Sequence, residues 1–366
     1  MVPARRRVTG ALVMGVGEHP RMVDQSDREQ AGSENGSRSG KLSGAGVSEF
    51  LGRLFGQLSL TSWFPAAVLV GNGAVLLQMH ADQSAALGPA VEALTDKPLG
   101  ILIVVVFALV IATVVTQAFE FETIQLLEGY GWLRGPGRLL MVVRIRRHAA
   151  KLDKLWRRHQ RVRQTAFMGV RQRLLDLGYP AEQLEVLDND VFDAAQPGDV
   201  DPVVIEDARS IDWEDFLAAD VRYELEELRH RLSAYPDPSR LLPTQLGNQM
   251  RSAEDEMPLG GGEDLEGFVI RHQDRLPAPM REEQHTYRSR LEMYCVMVLV
   301  FVVLAIGSVI ALHGIVPAWV LGVVATSYLF AAWISYQAAV ASARGMSTAL
   351  REVGRFIERE QAEQEP

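Results

Sequence analysis

The chain alternates between long stretches without formal charge and stretches dense in it. No Asp, Glu, Lys or Arg occurs between Arg53 and Asp82, between Lys97 and Glu120, or between Glu292 and Arg344. A hydrocarbon core about 30 Å thick needs about 20 apolar residues in a helix. The first two gaps hold one span each, near 58–79 and 99–119. The third holds two, 293–312 and 317–338, joined by a tight turn at His313–Val316. Pro317 suits the first turn of the last helix, where its missing N–H is not needed. Buried helices of a soluble domain rarely run this long without charge. The pattern predicts a mainly α fold: a four-helix transmembrane bundle of two hairpins, with a helical cytoplasmic module inserted between spans 2 and 3.

Basic residues near span ends set orientation. Arg53 precedes the first span, Arg134 and Arg138 follow the second, Arg281, Arg288 and Arg290 precede the third, and Arg344, Arg351 and Arg355 follow the fourth. The 81–97 loop carries only Lys97, and the His313 turn carries no formal charge. Both termini and the 120–292 region are therefore expected in the cytoplasm of a multi-pass cell-membrane protein. Gly314, Ala318, Gly322 and Thr326 lie four apart on one helical face, and Ala331, Ser335, Ala339 and Ala343 extend a small-residue stripe. Such faces let helices pack closely within a bundle or between copies in a homo-oligomer. No Asp, Glu, Lys, Arg or His falls inside a span, which disfavours a transport path. Asn72, in Gly71-Asn72-Gly73, is expected to hydrogen-bond between helices.

Outside the spans the chain divides by charge. Residues 1–47 are rich in Gly, Ser, Arg, Glu and Gln and lack an apolar period, which predicts a disordered cytoplasmic tail. Arg5-Arg6-Arg7 before Val8–Gly17 has the outline of a signal peptide, without the length or the cleavage site of one. A true start at Met14 or Met22 accounts for it equally. Residues 48–119 hold an interfacial lead-in around Glu49–Phe55 and the first hairpin; 293–343 hold the second, and 344–366 form a cytoplasmic tail. Between them, 138–177 reads as one long basic helix. From Arg134 to Gly178 there are 13 Lys and Arg against 2 Asp, and from Glu182 to Glu227 there are 16 Asp and Glu against 2 Arg. Opposite blocks this close in sequence are expected to fold against each other. Contact of Arg144, Arg146, Arg147, Lys151 and Lys154 with anionic lipid is a second use of the basic helix. The acidic block and the net charge of −9 speak against nucleic acid. A helix is expected from Asp212 to Leu232, capped by Ser210 or Asp212 and ended by Tyr235-Pro236-Asp237-Pro238. Another should start at Thr244, a good cap with Pro243 just outside, and end at Glu254–Glu256. Asp201–Ile205 and Gly267–Ile270 are the only strand candidates.

After the second span, the helix is expected to continue to Glu128 and stop at Gly129, a favoured residue just past a helix end. The string Leu126-Leu127-Glu128-Gly129-Tyr130-Gly131-Trp132, followed by a basic helix, resembles a family of uncharacterised bacterial multi-pass membrane proteins, chiefly actinobacterial. A second stretch agrees, Arg240-Leu241-Leu242-Pro243-Thr244-Gln245-Leu246-Gly247-Asn248 with Arg251–Asp255, and a third, weaker one runs from Arg275-Leu276-Pro277 to Arg288–Leu291. The Gly-rich Leu259–Glu263 departs from the aromatic stretch that family carries there. The resemblance implies the order of spans and no activity, so Glu128, Gly129, Tyr130, Trp132, Pro243, Thr244, Gly247 and Asn248 are motif residues without an assigned role.

Chemistry is harder to find. Gly129, Gly131, Gly135 and Gly137 fit neither dinucleotide nor Walker spacing, and a helix precedes them. The eight His are scattered. Asp188–Asp193 opens like a calcium loop but lacks the Gly at position six and the Glu at twelve. Cys295 is the single cysteine, which excludes an internal disulfide and, inside a span, reads as a packing residue. No catalytic residue, cofactor or metal is expected. The sequence points to a non-enzymatic anchor, scaffold or membrane-linked sensor with an unknown protein partner. A small channel or membrane-perturbing effector gated by the cytoplasmic module is the alternative.

Overall fold

In a computed structural model the chain is described at residues 60–83, 88, 99–133, 137–195, 200–257, 265–272 and 274–364, all within one unit spanning 53–366. The expected N-terminal tail, the Glu49–Phe55 lead-in, most of the first inter-span loop and Leu259–Glu263 lie outside these residues. The described elements are helices α1 (Leu60–Ala81), α2 (Leu99–Ala118), α3 (Glu120–Glu128), α4 (Gly137–Asp176), α5 (Ala181–Val191), α6 (Pro202–Ser210), α7 (Ala219–Leu232), α8 (Gln245–Asp255), α9 (Leu265–His272), α10 (Ala278–Leu312) and α11 (Ala318–Gln364). Three 3-10 turns join them, at Tyr130–Leu133, Trp213–Phe216 and Pro238–Arg240. The fold is mainly α, and no strand occurs among the described residues.

Three helices are long and apolar enough to cross a membrane, through Trp63–Ala81, Ala278–Leu312 and Ala318–Glu360; a fourth crossing counts α2 and α3 as one element bent by 44°. Phe119 sits at that bend, and the charges of Glu120 and Glu122 begin directly after it, so α3 is read as lying beyond the apolar segment. Ile103, Val104, Phe107, Val110 and Val114 on α2, Ile306 and Ile310 on α10, and Trp319, Val323, Phe330 and Trp333 on α11 are exposed. An apolar surface of this extent is a lipid-facing surface rather than a water-facing one. These spans mark the chain as membrane-associated.

Inside the bundle, Leu76 and Met79 of α1 pack on Val296, Val300, Leu304 and Leu312 of α10, with Leu321, Val324 and Tyr328 of α11 against them. At one end His80 Nδ1 lies 2.7 Å from the Ala311 carbonyl oxygen and ties α1 to the C-terminal end of α10. At the other end α10 and α11 do not stop. At 1.5 Å per residue their 35 and 47 residues reach about 52 and 70 Å, well beyond a core of about 30 Å. Their polar extensions enclose a second core with α8 and α9, built on Leu246, Ala253, Phe268, Leu291, Val340, Leu350 and Ile357. Gly345 lets the two long helices close up there: a Cβ would stand 2.6 Å from Cδ1 of Tyr287.

A third core lies between the last turns of α4 and the segment from α5 to α7, filled by Phe167, Leu174, Leu184, Val191, Trp213 and Leu225. The basic and acidic blocks thus meet mainly through apolar surface. Among the described residues Arg171–Asp188 at 2.8 Å and Arg158–Glu224 at 2.6 Å cross the seam; Arg209–Asp190 closes within the acidic block, and Glu214 pairs with Arg229 just beyond it. Exposed pairs of this kind contribute at most about 1 kcal/mol each, so burial holds the two blocks together.

Three local expectations are corrected. Asp201–Ile205 is helical, because the Asp201 carboxylate accepts the Val203 N–H at 2.9 Å with Pro202 in the first turn, and this cap outweighs the β-branched run. Gly267–Ile270 lies within α9, with Phe268 turned into the second core. The Asp212–Leu232 helix is broken at Leu217-Ala218, and neither Ser210 nor Asp212 caps it. On one continuous helix Trp213 would lie about 120° around from Leu225. The break allows both to face one core, where Trp213 meets Phe167 edge-on at 5.1 Å.

Candidate functional site

The two sequence motifs, more than a hundred residues apart, pack directly against each other. Helix α3 ends as expected: Gly129 adopts φ 104°, and its N–H reaches the Gln125 and Leu126 carbonyls at 3.0 and 3.2 Å. An L side chain is disfavoured in that conformation. It would also collide with the Pro243 ring, whose Cδ would be 2.7 Å from a Cβ. Helix α8 starts at the facing surface. Thr244 caps it by accepting the Gly247 N–H at 3.0 Å, while the same hydroxyl donates to the Glu128 carbonyl at 2.8 Å. One side chain therefore serves the first turn of α8 and the last turn of α3. Gly247 faces that same carbonyl so closely that any Cβ would run into it.

Surrounding groups hold this contact in place. Asn248 locks the chain entering α8: Leu242 N–H donates to its Oδ1 at 2.7 Å, and its Nδ2 donates to the Leu242 carbonyl at 3.0 Å. Tyr130 accepts Arg251 Nε and Nη2 at 3.2 and 3.1 Å, and the guanidinium carbon stands 5.4 Å from the ring centroid. Trp132 Nε1 donates back to the Leu126 carbonyl at 3.0 Å, which steadies the turn after α3. On the opposite side of α8 the Tyr336 hydroxyl of α11 accepts the Gln245 and Leu246 N–H groups at 3.2 and 3.4 Å. Arg144 of the basic helix donates to the Pro243 carbonyl at 3.2 Å. The start of α8 is thus clamped between α3 and α11, with α4 at its shoulder.

Glu128 carries the titratable chemistry of this junction. Burial pushes its carboxyl up from 4.5 to about 7, with the neighbouring Glu254 adding to the rise and Arg251 opposing it. His148 on α4 is pushed the other way, by burial first and then by the Arg144 and Lys151 charges. No group of three or more His, Cys, Asp or Glu able to hold a metal ion occurs among the described residues. The arrangement can position helices and take up a proton.

The remaining residues singled out in the sequence lie elsewhere. Asn72 Nδ2 donates to the Val68 carbonyl at 2.9 Å, and the Tyr328 hydroxyl donates to Asn72 Oδ1 at 3.1 Å, linking α1 to α11. Gly314, Ala318, Gly322 and Thr326 are exposed, and the close packing of the small-residue stripe is made further along by Ser335, Ala339 and Ala343. Arg146, Arg147, Lys151 and Lys154 are exposed on α4, whereas Arg144 is partly buried at the junction. Tyr336 and Tyr328 carry contacts that sequence reading missed, since a tyrosine within an apolar run looks like any other large side chain. The motifs themselves pointed to Glu128 and Thr244, but not to their partnership. Compared with protein-family models, with curated proteins and with solved structures, the chain matches none of them.

Proposed function

We propose that the chain is a non-enzymatic integral membrane protein, an anchor or membrane-linked sensor, whose polar module reports the relative placement of two transmembrane hairpins. Its membership of the uncharacterised multi-pass family suggested by the two motifs is part of this reading. In this arrangement the four apolar segments span a cell membrane, and the polar module and both termini lie in the cytoplasm. The observation that carries the reading is the clamping of α8: its cap Thr244 bonds the end of the first hairpin, and its first amides bond Tyr336 of the second. A shift of either hairpin changes a bond at the same helix terminus. The exposed basic face of α4 at Arg147 and Lys154 adds attraction to anionic lipid, about 1 kcal/mol per residue near the surface. An unidentified protein is the partner on the cytoplasmic side, and the exposed Gly314–Thr326 face is where copies of the chain associate.

The test has two arms on reconstituted protein. In a Cys295→Ser background, single cysteines at His313 and Lys154 are labelled with a membrane-impermeant maleimide in vesicles of known sidedness. Exclusive labelling from opposite sides is expected, and labelling of both from one side overturns the topology. Ion flux is then followed in liposomes. A tight bilayer is expected, and steady conduction by the purified protein sinks the anchor reading in favour of a channel.

A further inference from the structure

Helix α4 leaves the motif junction with an apolar face that the described residues leave exposed. Leu139, Leu140 and Val143 are 74%, 51% and 40% exposed. Arg146 and Arg147 follow them on the same side, since residues three, four and seven apart share a helical face, and both are exposed. The opposite side, through Met141, Arg144, Ile145 and His148, is half-buried. The outer surface of α4 therefore begins apolar and turns cationic one turn later.

The depth of this surface follows from contacts with α8 and α11. Arg144 donates to the Pro243 carbonyl, and the amide two residues on, at Gln245, donates to Tyr336 of α11. Tyr336 lies just before Ala338, where the last span is expected to end. Further along, Lys151 and Leu155 line one cleft with Arg344 and Thr348 of α11. The two helices thus rise away from the bilayer side by side, nearly in step. At 1.5 Å per residue, Leu139–Val143 extend up to about 8 Å on the membrane side of Arg144, and Arg146 and Arg147 stand about 3–5 Å on the other side. An interfacial helix buries its apolar face about 5–10 Å into the boundary between acyl chains and headgroups, the same scale. Phe119 and Phe121, at the expected end of the second span, are exposed as well.

We infer that the first turns of α4 insert into the cytoplasmic face of the bilayer, with Leu139, Leu140 and Val143 in the boundary between acyl chains and headgroups and Arg146 and Arg147 on the phosphates of anionic lipid. Apolar side chains nearest the hydrocarbon, with cations one turn farther out, repeat the order of layers in the bilayer itself. A protein partner imposes no such order. Arg138, exposed in the first turn, reaches the same phosphates along its flexible stem. Each arginine near an anionic surface shifts the balance toward the seated helix by about fivefold. The inference rests on the cytoplasmic placement of α4 proposed above, and it names the surface that the basic helix meets.

Full-length protein carrying Cys295→Ser receives a nitroxide at Val143→Cys or at Lys154→Cys, in nanodiscs of phosphatidylcholine alone or mixed equally with phosphatidylglycerol. Collisions with oxygen, concentrated in lipid, and with a neutral nickel chelate, confined to water, locate each label. In the mixed discs the label at position 143 is expected to meet oxygen and the label at position 154 the chelate. Omitting phosphatidylglycerol should raise chelate access at position 143 severalfold. Arg146→Gln/Arg147→Gln should do the same in the mixed discs and should remove the response to phosphatidylglycerol. The double variant is read only where its melting temperature matches the parent; where it does not, the change of lipid alone decides the charge dependence. A label at position 143 as open to the chelate as the one at 154 overturns the inference. So does one shielded from both probes, because protein rather than lipid then covers the face. Access that ignores both the lipid charge and the two arginines overturns the preference for anionic lipid. Failure of the topology is read separately: it appears as His313 and Lys154 labelled from one side, whereas labelling from opposite sides with position 143 in water strikes this inference alone.

Discussion

Replacing Glu128 with Gln should make the junction indifferent to pH. The carboxyl is lifted from 4.5 to about 7 by burial beside Glu254. At about 1.4 kcal/mol per tenfold change, that gap corresponds to roughly 3 kcal/mol. The folded junction favours the protonated acid. Its contribution is therefore fully present below pH 4.5, declines as pH rises between 4.5 and about 7, and is lost above. Linkage gives a wild-type deficit relative to the neutral amide of just under 1 kcal/mol near pH 5 and about 3 kcal/mol near pH 8, the latter a ceiling because Arg251 and incoming water offset part of it. Glutamine has the same shape and no charge. Hydrogen exchange of the α8 amides in detergent, with wild type and Glu128→Gln compared at each pH, cancels the intrinsic pH dependence of exchange. Protection in the variant should exceed the wild type by two orders of magnitude near pH 8 and by only a few-fold near pH 5. Parallel protection across that range would refute the assignment of a buried, proton-holding carboxyl at the helix junction.

Gly247→Ala forces a methyl group against the Glu128 carbonyl and to within 2.8 Å of Leu242 Cδ1, which should cost about 1–3 kcal/mol and appear as a lower melting temperature of the reconstituted protein. Tyr328→Phe removes the bond to Asn72 between α1 and α11; a loss of about 0.6 kcal/mol in detergent unfolding is expected, since hydrogen bonds between membrane helices are weak on average. Phe167→Ala empties the centre of the core between α4 and the α5–α7 segment, at a cost of about 3–5 kcal/mol. It should release the Trp213 fluorescence signal at lower denaturant while the helical signal of the bundle persists.

The long apolar helices, and the helix end at Gly129 and start at Thr244, were legible because they depend on short-range rules. An uncharged run of twenty residues has one economical solution in lipid, and Gly129 and Thr244 announce a helix end and a helix start by their own backbone chemistry. Both ends of α4 and α8, and the C-terminal end of α10, fall within a residue or two of their expected positions, whereas α10 begins at Ala278, well before the expected start at Met293. Errors arose where a long-range contact outweighed a local preference. The helix is broken between Trp213 and Leu225 so that Trp213 reaches Phe167, whereas at Asp201 one local cap outweighs another local preference, that of a β-branched run for a strand. The junction shows the limit most clearly. Gly247 was visible as a small residue in the first turn of a helix, but its reason is a carbonyl from residue 128, and nothing in either segment encodes that pairing.

The way the polar module is attached also constrains how it can respond. It joins the bundle through two unbroken helices, α10 and α11, and through the contact of α3 with the start of α8. Rigid helices transmit tilt and rotation with little loss. The α3–α8 contact, by contrast, sets Gly129 against the Pro243 ring and Gly247 against the Glu128 carbonyl, where a displacement of a few tenths of an ångström separates van der Waals contact from collision. Such a surface does not deform smoothly; it remains seated or it comes apart, as packed interfaces do. Under the proposed coupling, a tilt of α11 acts on Tyr336 and a tilt of the first hairpin acts on Glu128. Either would unseat one helix terminus rather than bend it, and the protonation state of Glu128 would set how readily that happens.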